Sequence, residues 1–349
     1  TPHMKSFTKL FLLSCLSILL SACGSDTDAP SFESTLEPSV YRNGEWNFSS
    51  IGIEYYLYNS DDSSWENTII STDTGTLTVL DNAVVGSTTI DGINRNSTIG
   101  DTVDGFVIGE TLTIEGHIDG TTMAVVMTSE TNGLTIKFIG SAYDGDGITK
   151  YGDKWITLDY WYGLSDVSIE GAIPGDDTYF DTIAFDSSIE STVIPAAVEV
   201  SLGSGDSAYV DGTYTGDGST YMTIFDNGSG YTSVRYDLDL TVSENSLTGT
   251  MTLTSLGDLV DFEGYEVGDV FEVTGEIKGA IVYATCSDPV NPDFEWRHIW
   301  GNRSLSGPTP LSEALGDITK IESNYGVTYR TPGTFGGENS IDVSLQVTE

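Results

Sequence analysis

One stretch of this sequence is written twice. Gly105 to Gly120 (GFVIGETLTIEGHIDG) matches Gly264 to Gly279 (GYEVGDVFEVTGEIKG) without a gap, each residue of the second copy carrying a number 159 higher. Four glycines coincide, an acidic residue follows the second glycine in both, and apolar residues alternate with polar ones between them. Alternation with a period of two marks a strand with one buried face, and the flanking glycines mark turns. A strand-turn-strand unit that recurs once in each half points to duplicated β domains. Farther on, Phe138-Ile139-Gly140 aligns with Ile299-Trp300-Gly301 after a two-residue slip, and upstream Gly44-Glu45-Trp46 aligns loosely with Gly212-Thr213-Tyr214.

The same alternation runs through the chain from about Tyr41. Thr111–Ile118 and Arg235–Val242 are clear examples, and Asp119-Gly120, Asn132-Gly133 and Asp226-Asn227-Gly228 are hairpin signals. The expected class is all-β, with two duplicated antiparallel barrels or sandwiches at 41–165 and 206–349. Residues 166–205 are a linker or extra strands. One late helix is expected, capped by Thr309, with Pro310 in its first turn and Leu311, Leu315, Ile318 and Ile321 at helical spacing. A last strand is expected from Ile341 to Val347. Gly-x-aromatic on a first strand, a meander, a helix and a final strand together resemble the lipocalin and wider calycin barrels. That resemblance implies a barrel in each half.

The N-terminal segment specifies an address. Lys5 and Lys9 precede the apolar run Leu10–Leu20 (LFLLSCLSILL), which ends at Ser21-Ala22-Cys23. The run is too short to span a bilayer, which takes about 20 apolar residues, and has the length of an export-signal core. Leu20-Ser21-Ala22-Cys23 resembles the lipobox of bacterial lipoproteins. The resemblance implies cleavage before Cys23, acyl chains (palmitate among them) on that cysteine, and a lipid bilayer as partner. Gly24, where inner-membrane members carry Asp, implies the outer membrane and leaves open which side the protein faces. Residues 1–22 are then the signal, with Thr1-Pro2-His3 lying ahead of an expected start at Met4. Residues 23–40, acidic and containing Pro30 and Pro38, are an expected tether.

Charge excludes some partners. With 13 Lys and Arg against 53 Asp and Glu, the formal charge is −40, which repels nucleic acid and bare anionic membrane surfaces. Cys286 alone remains beyond Cys23, so no intramolecular disulfide is expected in the mature chain, and its apolar setting reads as a small buried side chain.

No signature of a nucleophile elbow, zinc protease, P-loop or Cys-x-x-Cys pair occurs, so no catalytic residue is assigned. His117 stands where the second copy has Glu276, which reads as a polar strand face. Asp144 and Asp146 begin an acidic turn that makes calcium the candidate cofactor, although Ile148 breaks the EF-hand pattern. The candidate ligand-binding residues are aromatic. Trp296, His298 and Trp300 share one strand face with Arg297 and Arg303 nearby, and Trp155 and Trp161 form a second cluster. Such clusters build either a core or a platform for a glycan or small ligand. The expected function is non-enzymatic binding of such a ligand. The alternatives are a calcium-stiffened adhesive protein and, less favoured, a carboxylate glycosidase.

Overall fold

Apolar side chains at every second position need a common interior, and antiparallel pairing supplies one. The computed structural model describes residues 35–348 apart from 60, 62, 97, 144–157, 176–177, 189–194, 225–229, 258–263, 302–317, 324–325 and 332–334. Leu36–Glu349 is one compact unit. The first sheet contains β1 (Gly44–Asn59), β2 (Ser64–Thr72), β3 (Gly75–Leu80), β4 (Ala83–Arg95) and β5 (Thr98–Ile99). A small separate hairpin follows, made of β6 (Thr102–Val103) and β7 (Phe106–Val107). The first sheet resumes with β8 (Thr111–Asp119), β9 (Thr122–Ser129), β10 (Thr135–Tyr143), β11 (Leu158–Val167), β12 (Ala172–Pro174) and β13 (Thr178–Ser187).

β1 closes this sheet. It pairs with β13 along one edge and with β3 and then β2 along the other. The neighbours run β1, β2 with β3, β4, β8, β9, β10, β11, β13 and back to β1, all antiparallel. An up-and-down ring leaves no main open edge. Of the stretch 166–205, residues 172–174 and 178–187 are therefore strands of this first sheet.

The second sheet contains β14 (Gly212–Ile224), β15 (Gly230–Ser243), β16 (Ser246–Ser255), β17 (Val270–Lys278), β18 (Ile281–Ser287), β19 (Glu295–Trp300), β20 (Lys320–Ser323), β21 (Gly326–Thr331) and β22 (Phe335–Thr348). Its order is β20-β22-β14-β15-β16-β17-β18-β19-β21, an antiparallel meander curled into a half-barrel. β21 and β22 also lie side by side. The expected last strand is part of β22. The expected helix is corrected at its C-terminal end. Ile318 makes a bridge to Tyr209 and Ile321 lies on β20, because Ile321 is buried by pairing with β22. Residues 309–317 lie outside the described residues.

The written-twice stretch is a structural duplicate. β8 and β17 carry its two copies, and the glycines repeat their backbone angles: φ +96° and +89° at Gly105 and Gly264, +87° and +100° at Gly109 and Gly268, +60° and +61° at Gly120 and Gly279. These left-handed angles favour glycine. The fourth pair, Gly116 and Gly275, is extended instead. A Cβ there would sit 2.1 Å from the Ala124 and Tyr283 carbonyl oxygens respectively. The acidic residue after the second glycine also repeats its work. Glu110 accepts a hydrogen bond from the Val107 N–H at 3.2 Å, and Asp269 accepts one from the Glu266 N–H at 2.8 Å.

Upstream, the duplication is closer than the Gly-x-aromatic tripeptide implies. Ser39 and Ser207 hydroxyls accept from the backbone N–H of Tyr41 and Tyr209 at 3.1 Å. Those tyrosine hydroxyls donate to the Thr121 and Ala280 carbonyls at 2.8 and 2.9 Å. Trp46 Nε1 and Tyr214 Oη donate to the carbonyls of Arg42 and Val210, both at 2.9 Å. The end of the expected tether is thus docked. Val40 N–H donates to Gly120 O, and the Glu37 carbonyl accepts from Gly120 and Asn82. Downstream, register corrects the sequence alignment. Val125 and Ala284 face the equivalent Gly116 and Gly275, and they pair with Phe138 and His298. The slip is therefore one residue, so Ile136, Phe138 and Gly140 match Trp296, His298 and Trp300. In a strand one residue decides the face.

The two sheets meet through outward-facing apolar residues. Ala124, Ile139 and Leu164 pack with Ile281, Ile299 and the linker residues Val200 and Leu202. The Tyr283 hydroxyl is 2.6 Å from the Leu202 N–H and 3.0 Å from its carbonyl.

Candidate functional site

β19 alternates Trp296, His298 and Trp300 with Glu295, Arg297 and Ile299. The first three turn inward and are at most 1% exposed. Aromatic residues suit a strand whose one face is buried, and here they form a continuous row of mutually tilted rings. Ring centroids lie 4.5 Å apart for Trp296–His298 and 6.0 Å for His298–Trp300. Tyr236, on the inward face of β15, meets Trp296 edge-on at 5.8 Å and His298 at 5.9 Å. Its hydroxyl is 3.0 Å from the Thr220 hydroxyl on β14. Cys286 stands opposite Trp296, with its sulfur 3.8 Å from that of Met251. Burial pushes that thiol well above its usual range, which leaves it inert.

Polarity is what sets this interior apart. Both ring nitrogens of His298 and Trp300 Nε1 are buried and have no hydrogen-bond partner among the described residues. Burial pushes His298 down to about 3, so at neutral pH the imidazole is uncharged, with one nitrogen a donor and the other an acceptor. A buried polar atom left unpaired costs about 1–3 kcal/mol. The first domain has no such atoms at the matching places. Phe138 stands for His298 and packs on Phe180 at 5.1 Å, and Gly140 stands for Trp300. Trp161, also in that core, donates from Nε1 to the Tyr41 hydroxyl at 2.9 Å. The first domain's own buried polar atoms without a described partner, Trp65 Nε1 and Asn67 Oδ1, lie on β2 and not at these places, whereas the second domain has three on β19.

The remaining expected site residues do not join this group. Arg297 lies on the opposite face of β19, 30% exposed, bonded to Glu295 and 3.3 Å from Asp119 Oδ2 of the first domain. Trp161 belongs to the first core. Trp155, Arg303, Asp144, Asp146 and Cys23 lie outside the described residues. Among the described residues no three His, Cys, Asp or Glu side chains gather as a metal site. His117 is buried and contacts the linker carbonyl of Val198 through Nδ1 at 2.9 Å. Sequence reasoning missed Tyr236 and Thr220, whose only signal is alternation within long strands. It also missed a charged cluster in the first domain. There Arg95 binds Asp104 and, at 3.0 Å, Glu66, while the Tyr55 hydroxyl donates to Asp104 at 2.6 Å.

Compared with known proteins, the chain matches no family model and no curated protein. A solved structure from Nitrosomonas europaea, named as a candidate AttH protein, aligns over 93% of this chain and 96% of its own at 10% identity. Its TM-score is 0.19, too low to carry an argument about fold or function. Among the described residues no helix is long and apolar enough to cross a membrane.

Proposed function

We propose that the chain is a lipid-anchored bacterial lipoprotein of the outer membrane, and that its second β domain binds a small ligand without catalysing a reaction on it. The observation that carries the binding reading is the trio of buried polar atoms on His298 and Trp300, set among aromatic rings and without a hydrogen-bond partner among the described residues. Small-molecule sites are mostly apolar with a few placed polar groups. Burial favours a small molecule over a polysaccharide, since a glycan platform needs exposed rings and Trp296 and Trp300 are at most 1% exposed. The anchor rests on the lipobox-like Leu20-Ser21-Ala22-Cys23.

The test is solvent extraction of protein purified from its native membranes, followed by mass spectrometry of the extract and of the N-terminal peptide. The proposal expects a small molecule enriched over a His298→Phe preparation and a diacylated or triacylated Cys23. Identical extracts would remove the binding reading. An unmodified Cys23 thiol with the leader intact would remove the anchor.

A further inference from the structure

Each β domain is entered through a strap. Residues 37–41 lie across the β8–β9 turn, where the Glu37 carbonyl accepts from the Gly120 N–H and the Val40 N–H donates to the Gly120 carbonyl. Residues 205–209 repeat this on the second domain, with the Gly205 carbonyl accepting from the Gly279 N–H and the Ala208 N–H donating to the Gly279 carbonyl. The two straps differ at one place. Asp119 Oδ1 accepts the Glu37 N–H at 2.7 Å, while its Oδ2 lies 3.3 Å from Arg297 Nη1 on β19 of the second domain. The residue 159 positions on is Lys278, whose ammonium has no acceptor to offer and which pairs with Glu276. The first strap thus shares a carboxylate with the other domain.

Asp119 is buried, and a buried carboxylate is costly unless donors and a cation satisfy it. The strap supplies a donor and Arg297 supplies the charge. His117 on β8 and Glu295 on β19 also face Asp119, but Glu295 is bonded to Arg297 and His117 reaches the linker carbonyl of Val198. Without Arg297 the docked strap would sit on a carboxylate that has lost its bonded cation. Without the strap the carboxylate would lose a donor and gain water, and the bridge would fall to the small worth of an exposed ion pair.

We propose that the strap is a latch between the domains. Its docking at Asp119 and the Arg297 bridge stabilise each other, so lifting residues 37–41 loosens the second domain on the first. A pull on the chain ahead of residue 37 is then felt at the domain junction.

The test is amide hydrogen exchange on the whole mature chain at pH 7, which reads local opening. Exchange at the strap (residues 37–41) and at the junction (Leu202 and Gly203, whose N–H groups meet the Tyr283 hydroxyl and Asp166) is scored relative to β15, so that a general loss of stability is not counted. Arg297→Ala is expected to speed strap exchange at least about fivefold, the low end of ordinary coupling between sites. Glu37→Pro, which deletes the N–H that Asp119 accepts, is expected to speed junction exchange, since coupling runs both ways. Adding Asp119→Asn to Arg297→Ala removes the uncompensated charge and keeps an acceptor for the Glu37 N–H, and should return strap exchange toward the wild-type ratio. Unchanged strap exchange in Arg297→Ala, or unchanged junction exchange in Glu37→Pro, would overturn the latch. Failure of Asp119→Asn to restore the strap would overturn it too, because the shared carboxylate would not be what joins the two contacts.

Discussion

Acid should destabilise this protein through His298, by an amount that can be worked out. The imidazole titrates near 6.5 in an unfolded chain and at about 3 in the folded one. A group whose folded value is depressed binds its proton more readily when unfolded, so stability falls as pH drops below about 6.5 and the loss levels off below about 3. Each pH unit within that window is worth about 1.4 kcal/mol. The ligand-free protein should therefore lose about 2 kcal/mol between pH 7 and pH 5, and roughly 3 kcal/mol by pH 4, through this one ring. Full burial of the ring means solvent screening takes little off these figures. Other groups titrate in the same range with the opposite sign. Burial raises the carboxyls of Asp119 and Asp166, so their protonation favours the folded state in acid. The comparison must therefore be between wild type and His298→Phe, by urea denaturation at pH 7, 6, 5 and 4. The variant should be more stable at pH 7 by about 1–3 kcal/mol, having lost two unpaired nitrogens. Its advantage should grow by about 2 kcal/mol at pH 5. A constant difference across the series would refute the claim that His298 is held neutral by burial.

Three further outcomes are expected. Gly275→Ala should cost about 1–3 kcal/mol in denaturation measurements, because the new methyl would lie 2.1 Å from the Tyr283 carbonyl oxygen and must push β17 from β18. Asp104→Asn should cost about 1 kcal/mol, and less in high salt, because it weakens the partly buried pair with Arg95 and the Tyr55 hydrogen bond; melting curves at low and high salt read both. Arg297→Ala should destabilise by about 1 kcal/mol at pH 7 and by less near pH 4, since Asp119, raised by burial, no longer needs a cation once protonated.

Much of the fold is legible in the sequence because period-two burial and left-handed glycines leave direct marks. Leu112, Ile114 and Ile118 are buried while Thr113 and Glu115 are exposed, as the alternation of Thr111–Ile118 requires. The duplication is readable because three of its four glycines need positive φ and the fourth needs room beside a carbonyl, so drift could not erase them. The one-residue error at β19 has a physical origin too. The turn between β9 and β10 is shorter than the one between β18 and β19, and turn length leaves no trace in strand alternation. The supposed helical spacing of Ile318 and Ile321 arose from two residues in a bridge and a short edge strand. At the site, the aromatic face of Trp296, His298 and Trp300 is visible in the sequence, but Arg297 is drawn in by proximity along the chain although alternation puts it on the other face. That His298 and Trp300 keep unpaired polar atoms is a property of three-dimensional neighbours, Tyr236 and Thr220 among them, which come from strands some 60 to 80 residues away.

The most direct test is a crystal structure of the protein purified from its native membranes without refolding. Non-protein electron density is expected beside β19, with a hydrogen-bonding atom within about 3.2 Å of Trp300 Nε1 or a His298 ring nitrogen. Protein atoms or isolated waters satisfying all three of those nitrogens, with no further density, would contradict it.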